Sequence, residues 1–276
     1  MTTISKDTPF RIVASDLDGT LLAPNHQLSE FSTETLKKLH DQGFTFIFAT
    51  GRHHVDVAGI RKIVGIPAYM ITSNGARVHD QDDQLMYSNN VPVELVQPVI
   101  DTIRHDPNVM IHMYRNDDWL LDRDDEKMRT FHEDSGFTYQ RFEADDAPKE
   151  GVAKVFFIHT DQDHDYLVQY EEMLNEKFAG QLNVSFSTPW CLEVMAADVS
   201  KGDALKVVAE SMGLELENCI AFGDGMNDVE MLQAAGKGLV MGTSHQRVKD
   251  ALPNNEVIGS NEHDAVAHYL HDHLIK

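Results

Sequence analysis

Short apolar runs alternate with amphipathic stretches along the first part of the chain. Residues 10–15, 44–49 and 68–72 are predominantly apolar, which is typical of strands buried in a parallel sheet. Leucines at helical spacing, a capping serine and a following glycine predict a helix over residues 29–42, and a second helix is predicted at about residues 54–64. This order of strands and helices predicts a parallel sheet with right-handed crossovers.

The same alternation returns at the end of the chain. A helix is predicted over residues 201–212, a strand over 219–222, a helix from residue 228, a strand over 238–241 and a last helix near 262–274. The two ends of the chain are therefore expected to share one α/β core with a doubly wound parallel sheet.

The middle of the chain has several strands close together, which does not fit that alternation. The predicted strands are 109–114, 119–122, 154–159, 182–187 and 192–195, and the predicted helices lie near 92–105, 124–134 and 163–178. We therefore expect an α+β insert over residues 86–189, with the core formed by residues 1–85 and 190–276.

Composition restricts the class of function. The chain has 276 residues and a formal net charge of −22. A surface that negative repels phosphate backbones, so we expect no nucleic-acid partner. A small phosphorylated metabolite remains compatible with this charge, provided that a cation or local hydrogen-bond donors cancel the field at the site.

The sequence also indicates where in the cell the protein is located. No apolar run approaches the roughly 20 residues of a membrane span, and residues 1–9 do not resemble a secretory signal, so we expect no membrane association. The two cysteines, Cys191 and Cys219, form no CxxC pair and are expected to be free buried thiols. A cytoplasmic protein is the simplest interpretation.

Two motifs whose residues could bind a ligand or take part in catalysis follow predicted strands near the start of the chain. Residues 16–20 read DLDGT, which places Asp16 and Asp18 beyond a strand end, where open α/β sheets bind ligands. An Asp-Gly pair also makes an ordinary turn, but DLDGT is a much narrower pattern. Residues 50–52 read TGR, and a hydroxyl and a backbone N–H at such a junction suit a phosphate oxygen, although ordinary loops also carry this pair.

Two further motifs lie near the end of the chain. Ser200 is placed to cap a helix, which puts Lys201 in the first turn, where it opposes the helix dipole at a cost of roughly 0.3–1 kcal/mol. Such a violation is typical of a functional site, although a solvated lysine that bends away would look the same in sequence. Residues 223–228 read GDGMND and supply more acids after a strand.

Together the motifs would gather Asp16, Asp18, Asp224 and Asp228 at one edge of the sheet. Carboxylates this close raise one another's pKa and cost stability unless a cation lies among them. Oxygen ligands with room for water suit Mg²⁺. The set contains no cysteine or histidine ligand, which disfavours zinc.

The ordered set DLDGT, TGR, SKG and GDGMND resembles the haloacid dehalogenase (HAD) superfamily, specifically its Cof-type phosphatases. That resemblance implies a HAD-like core with an inserted C2-type cap domain that sets specificity. Further segments resemble the pyridoxal phosphate and sugar phosphatases of this type, namely residues 48–57, 70–80, 183–188, 191–196 and 219–228.

The resemblance also implies a role for each matching residue. Asp16 would be the nucleophile and a metal ligand, Asp18 the general acid/base with its backbone carbonyl on Mg²⁺, and Asp224 the remaining protein ligand. Asp228 would act through water or by orienting other groups. The groups expected to bind the phosphoryl oxygens are Leu17, Thr50, Gly51, Lys201 and Asn227.

The expected function is Mg²⁺-dependent hydrolysis of small phosphomonoesters through an aspartyl-phosphate, with pyridoxal 5′-phosphate and hexose phosphates as favoured substrates. A phosphomutase and a catalytically silent sensor of phosphorylated ligands are the alternatives. The chain is expected to be a monomer or a weak homo-oligomer. Sequence leaves open whether residues 73–75 face the site, and whether Glu193 contacts substrate or supports Lys201.

Overall fold

The computed structural model describes residues 8–130 and 136–275. Within these ranges the strands are β1 (Ile12–Ser15), β2 (Thr45–Ala49), β3 (Ala68–Thr72), β4 (Arg77–His79), β5 (Leu85–Ser88), β6 (Val109–Arg115), β7 (Asp118–Leu121), β8 (Tyr139–Arg141), β9 (Val152–His159), β10 (Leu182–Thr188), β11 (Cys191–Ala196), β12 (Cys219–Gly223), β13 (Lys237–Val240) and β14 (Glu256–Val257). The α-helices are α1 (Glu30–Asp41), α2 (His54–Val64), α3 (Val93–Asp101), α4 (Glu126–Thr130), α5 (His164–Lys177), α6 (Lys201–Ser211), α7 (Val229–Ala234), α8 (Gln246–Ala251) and α9 (Ala265–Leu274).

The two ends of the chain build one eight-stranded sheet, in the order β14-β13-β12-β1-β2-β3-β4-β5. Strand β1 lies between β12 and β2 and pairs in parallel with both, so that Ile12 is opposite Cys219 on one side and Thr45 on the other. Strands β4 and β5 extend the sheet in antiparallel fashion. The predicted parallel core is therefore confirmed.

Helices cover both faces of this sheet. On one face Val13 of β1 packs into a cluster with Leu36 of α1 and Leu270 of α9. On the opposite face Ile12 packs into a cluster with Leu205 of α6. Successive residues of a strand point to opposite faces, so the wholly buried β1 anchors two helix layers. The doubly wound α/β architecture follows from this arrangement.

The middle of the chain forms a second sheet of six strands, in the order β10-β11-β9-β6-β7-β8. One face is covered by α3 and α5, whose Val99 and Leu174 share a cluster with Phe157 of β9. The other face carries Tyr114 and Phe156, among others, and shares its cluster with Ala76, which directly precedes β4 of the first sheet. The second face therefore meets the core.

The predicted insert boundary at residues 189 and 190 does not coincide with the division between the two sheets. Strand β11 pairs antiparallel with both β10 and β9, with Leu182 opposite Ala196, so it belongs to the six-stranded sheet. The other predicted boundary, after residue 85, falls inside β5 of the core sheet. An apolar run such as CLEVMA records that a strand is buried, but it does not record which strands are its neighbours.

Several element bounds also differ from the predictions. The last helix begins at Ala265 rather than near residue 262, because Asp264 adopts a left-handed conformation (φ 52°) after a short 3₁₀ turn. The helix predicted at 124–134 is described only as Glu126–Thr130, and residues 131–135 lie outside the described ranges. Strands β4, β5, β8 and β14 and helix α8 were not predicted. Their short or mixed sequences carry little periodicity.

Two further expectations concern the cysteines and membrane-spanning helices. Both cysteines are free and buried, as predicted. None of the helices in the described ranges combines the length and the apolarity that crossing a membrane requires.

Candidate active site

The four motifs meet at the carboxyl ends of the central strands. Asp16 follows β1, Thr50 follows β2 and Asp224 follows β12, and these three strands are neighbours in the core sheet. The backbone N–H of Asp16 donates to Phe222 of β12 at 3.0 Å, which ties the first loop to the fourth. Carboxyl ends of parallel strands lie at the same sheet edge, so this convergence follows from the topology.

Lys201 lies at the centre of the site and is completely buried. Ser200 caps α6 by accepting from the backbone N–H of Asp203 at 3.0 Å, as predicted. The Lys201 Nζ donates to Asp16 Oδ1 at 2.7 Å and to Asp228 Oδ1 at 2.6 Å. Burial disfavours the charged ammonium, but the two carboxylates outweigh it and raise the lysine pKa. Lys201 is therefore a buried partner of carboxylates and not a solvated side chain.

Three carboxylates surround this lysine. Ligand oxygens of Asp16, Asp224 and Asp228 lie within 4.8 Å of one another. Asp228 Oδ2 accepts from the backbone N–H groups of Asp224 and Gly225 at 3.0 and 2.9 Å. Asp224 Oδ1 accepts from the Thr20 hydroxyl at 2.7 Å. Side-chain and backbone donors thus hold Asp224 and Asp228 in fixed orientations.

The cluster carries more negative charge than its lysine neutralises. Burial raises the pKa of Asp16 well above its ordinary value, against the opposing effect of Lys201. Burial, with a contribution from the charge of Asp228, raises the pKa of Asp224 to about 6. Oxygen-only ligands and unbalanced negative charge suit a hard divalent cation. The residues present therefore fit Mg²⁺, with Asp228 joining Asp16 and Asp224 in the cluster.

The Asp18 carboxylate pairs with Arg52 and His26. Arg52 Nε donates to its Oδ2 at 2.6 Å and Arg52 Nη2 to its Oδ1 at 2.6 Å, while His26 Nδ1 lies 2.9 Å from Oδ1. Burial raises the Asp18 pKa, but the hydrogen bonds from Arg52 and His26 prevail and hold it well below the usual range. The sequence predicted no role for Arg52, although it stands inside the TGR motif.

The groups predicted to bind phosphate line the rim of the carboxylate cluster. Leu17 directly follows Asp16, and Thr50 is buried at the end of β2 with its hydroxyl accepting from the Arg52 N–H at 3.1 Å. Within residues 8–130 and 136–275, the backbone N–H groups of Leu17 and Gly51 have no hydrogen-bond partner. Backbone donors without partners suit an anion such as phosphate.

The loop at residues 73–75 joins this rim, which answers one question that the sequence left open. Asn227 Nδ2 donates to Asn74 Oδ1 at 3.0 Å, and the Asn74 N–H donates to the Thr50 carbonyl at 3.1 Å. Gly75 (φ 106°) allows the loop to touch the backbone at Ser200, because a Cβ there would lie 2.2 Å from the Ser200 carbonyl oxygen. The loop therefore faces the site.

The six-stranded sheet closes over the rim with a buried ion pair, Lys154 and Glu193. Lys154 Nζ donates to the Gly51 carbonyl at 2.7 Å, and Glu193 accepts from Lys154 and from Asn74 Nδ2. Glu193 therefore contacts Asn74 and Lys154 rather than Lys201. Sequence reasoning missed Lys154, and the available signal was a lysine inside the largely apolar strand VAKVFFIH.

A histidine of the TGR loop completes the closure. His53 Nε2 lies 2.9 Å from the Asn116 carbonyl, in the turn between β6 and β7, and the His53 ring stacks on Phe137 with a centroid distance of 4.6 Å. A small cavity of about 30 Å³ lies beside Asn74 and Asn227.

Comparison with known proteins is in line with this geometry. A family model described as haloacid dehalogenase-like hydrolase matches residues 13–270. A relative from Haemophilus influenzae, whose phosphatase name is provisional, is 47% identical over 264 residues, covering 95% of this chain and 96% of its own. An HMP-PP phosphatase from Yersinia pseudotuberculosis is 40% identical over 265 residues, covering 96% of each chain.

Solved structures extend the comparison to the fold. A haloacid dehalogenase-like hydrolase from Bacteroides thetaiotaomicron superposes with a TM-score of 0.79 at 25% identity, covering 95% of this chain and 99% of the other. A sugar phosphatase of HAD subclass IIB superposes with a TM-score of 0.82 at 21% identity, covering 96% and 100%. Both comparisons include the core and the six-stranded sheet.

Proposed function

The chain belongs to the haloacid dehalogenase-like hydrolases and is a Cof-type phosphatase of small phosphorylated metabolites, and we propose that it works through a phosphoryl group carried on Asp16. The observation that carries this proposal is the buried Lys201, which bonds Asp16 within a cluster of three carboxylates. Such an arrangement costs stability in a folded protein, and chemistry at Asp16 accounts for it.

Asp16 is the proposed nucleophile. Lys201 holds its Oδ1, which leaves Oδ2 to attack phosphorus in line with the leaving oxygen. The O–P bond to Asp16 forms as the ester P–O bond breaks, and water later hydrolyses the acyl phosphate. Dividing the reaction lowers a barrier from which phosphatases remove about 20 kcal/mol or more.

Asp18 is the proposed general acid and base. It would protonate the leaving oxygen and then take a proton from the attacking water. Without substrate, Arg52 and His26 hold the Asp18 pKa low. An arriving phosphate adds negative charge nearby and raises that pKa, so a larger fraction of the Asp18 carboxyl carries the proton that it must donate to the leaving oxygen.

The phosphoryl oxygens are proposed to bind the rim described above. Leu17 and Gly51 offer backbone N–H groups, Thr50 a hydroxyl and Asn227 an amide. Lys201, already beside Asp16, stabilises charge on the oxygens in the transition state.

Mg²⁺ is the proposed cofactor, held by Asp16 and Asp224, with the Asp18 carbonyl as a further ligand and Asp228 alongside. When bound, Mg²⁺ neutralises charge so that a phosphate and a carboxylate can approach each other. Mg²⁺ at about 100 times its Kd should stabilise the fold by ~2.7 kcal/mol. A melting temperature that is the same in Mg²⁺ and in EDTA would count against this site.

The substrate is proposed from the sequence resemblance and from the names of relatives. Pyridoxal 5′-phosphate and hexose phosphates are the favoured candidates, and HMP-PP joins them because a relative is named for it. We also propose that the cap, which reaches Ala196 when β11 is included, sets the choice among them.

A phosphate-release screen over these metabolites, with and without Mg²⁺, tests the proposal. We expect Mg²⁺-dependent release of inorganic phosphate from several unrelated esters. A phosphomutase would instead return the phosphoryl group to a sugar, and a silent sensor would bind esters without releasing phosphate. Either result would replace the proposed function.

A further inference from the structure

A chain of hydrogen bonds runs from the cap sheet to both phosphate-binding loops of the core. Lys154 of β9 pairs with Glu193 of β11, and Glu193 accepts from Asn74 Nδ2. Asn74 Oδ1 in turn accepts from Asn227 Nδ2 at 3.0 Å. A side branch leads from Lys154 Nζ to the Gly51 carbonyl at 2.7 Å. Gly51 and Asn227 are both proposed phosphate ligands, so the chain ends at the phosphate site on two sides.

The ion pair at the head of this chain is costly. The side chains of Lys154 and Glu193 are each only 3% exposed. Apolar residues of similar size would stabilise a buried sheet face as well or better, so a buried pair needs another reason. The pairing of β9 with β11 is already fixed by backbone hydrogen bonds, with Phe156 opposite Glu193.

Asn74, in the middle of this hydrogen-bond chain, has a strained backbone that allows the same contacts. Asn74 adopts a left-handed backbone (φ 57°), which asparagine tolerates better than most residues. In that conformation its N–H bonds the Thr50 carbonyl while its amide bridges Glu193 and Asn227. Strain of this kind is typical of functional loops.

The contacts at Gly51 leave no space for a side chain. A Cβ at Gly51 would lie 2.9 Å from Asn74 Oδ1 and 3.6 Å from both Glu193 carboxylate oxygens. The peptide that Lys154 holds through the Gly51 carbonyl also carries the Arg52 N–H, which donates to the Thr50 hydroxyl at 3.1 Å. Lys154 thereby sets the orientation of a second phosphate ligand.

We propose that Lys154 and Glu193 are positioning residues that couple closure of the cap to phosphate binding by the core. With the cap closed, Lys154 fixes the Gly51–Arg52 peptide, and Glu193 fixes Asn74 and, through it, Asn227. With the cap lifted, both phosphate loops lose these restraints and bind phosphate weakly. The inference rests on the proposed function, because it assigns phosphate binding to these loops.

A competing role for the pair is direct recognition of the leaving group. The two roles differ for a ligand that has no leaving group, namely inorganic phosphate. Positioning of the phosphate loops predicts weaker binding of inorganic phosphate when the pair is removed. A leaving-group subsite predicts that phosphate binding stays unchanged while some esters lose affinity.

The test uses the full chain with saturating Mg²⁺ and the double variant Lys154→Met/Glu193→Gln, which removes both charges and leaves neither unpaired. Lys149→Met, at an exposed lysine of the cap, is the matched control. Asn74→Gly is a second variant. Glycine accepts the left-handed backbone, and the loss of the amide interrupts the hydrogen bonds between Glu193 and Asn227 without removing a charge. The inhibition constant of inorganic phosphate and the KM and kcat for two unrelated esters are measured for each.

We expect the phosphate inhibition constant and the KM of both esters to rise together by about tenfold in the double variant and in Asn74→Gly. The value of kcat should change less than threefold, because uniform binding is lost, and Lys149→Met should match the wild type. An unchanged inhibition constant in both variants would overturn the inference, whatever happens to the esters. Absence of phosphate release by the wild type would instead refute the proposed function.

Discussion

Replacing Lys201 with methionine probes the buried charge network most sharply. Methionine keeps an unbranched side chain of similar length but cannot donate to Asp16 or Asp228. Both bonds are short, at 2.7 and 2.6 Å, and the lysine is completely buried, so water cannot replace its ammonium without rearrangement. The variant leaves three neighbouring carboxylates with no cation among them.

The size of the effect follows from this geometry. Removing one partner of a buried ion pair costs about 3–5 kcal/mol, because the remaining charge stays buried without compensation. Lys201 serves two carboxylates, so we expect a loss in the upper part of that range when no divalent cation is present. Asp228 keeps its two backbone donors, which limits the loss. Turnover should fall by about 10²–10³, the usual effect of removing one preorganised donor.

Urea unfolding at pH 7 in EDTA measures the stability difference, and Lys206→Met is the matched control. Lys206 lies on the same helix, its side chain is 58% exposed, and its nearest carboxylate, on Glu210, lies 3.8 Å away. Exposed pairs of this kind contribute at most about 1 kcal/mol. If both variants lost the same small amount, the buried network would not have the energetic role assigned to it.

Two further predictions concern the acid/base residue and the cap. Arg52→Lys keeps the positive charge beside Asp18 but loses the two-pronged contact, so kcat should fall tenfold or more with little change in KM; steady-state kinetics showing the opposite split would contradict the positioning of Asp18. Burial lowers the pKa of His112 to about 3. The neutral ring therefore makes its full contribution to the free energy of unfolding above the unfolded-state pKa of 6.5, and that contribution is lost as the pH falls toward 3. His112→Asn keeps an acceptor for Trp119 Nε1 and cannot titrate. Between pH 7 and 5 the free energy of unfolding of this variant in urea should therefore fall by about 2 kcal/mol less than that of the wild type. Equal falls would contradict a neutral, buried His112 ring.

Much of the core and of the site could be predicted because the relevant signals are local. An apolar run followed by DLDGT states both that a strand is buried and that acids follow its end. Parallel topology then brings strand ends together, which is why Asp16, Asp18, Asp224 and Asp228 were expected to meet, whereas the role of Lys201 was implied by the family resemblance. Ser200 could be identified as a cap because its partner, Asp203, lies only three residues away.

The features that were missed are those fixed by distant contacts. Arg52 holds Asp18 across 34 positions of sequence, and Lys154 meets Glu193 across 39. No periodicity records such pairs, since each side chain fits its own strand or loop without the other. Sequence likewise does not record that β11 lies between β10 and β9, because the neighbours of a strand are set by the whole sheet.

An acid quench during turnover, followed by mass spectrometry of the peptides, is the most direct measurement of the central claim. The wild type should carry a phosphoryl group on the peptide that contains Asp16. Asp16→Asn should carry none and release no phosphate while keeping a similar melting temperature. A phosphoryl group on a different residue, or brisk phosphate release by Asp16→Asn, would contradict the covalent route.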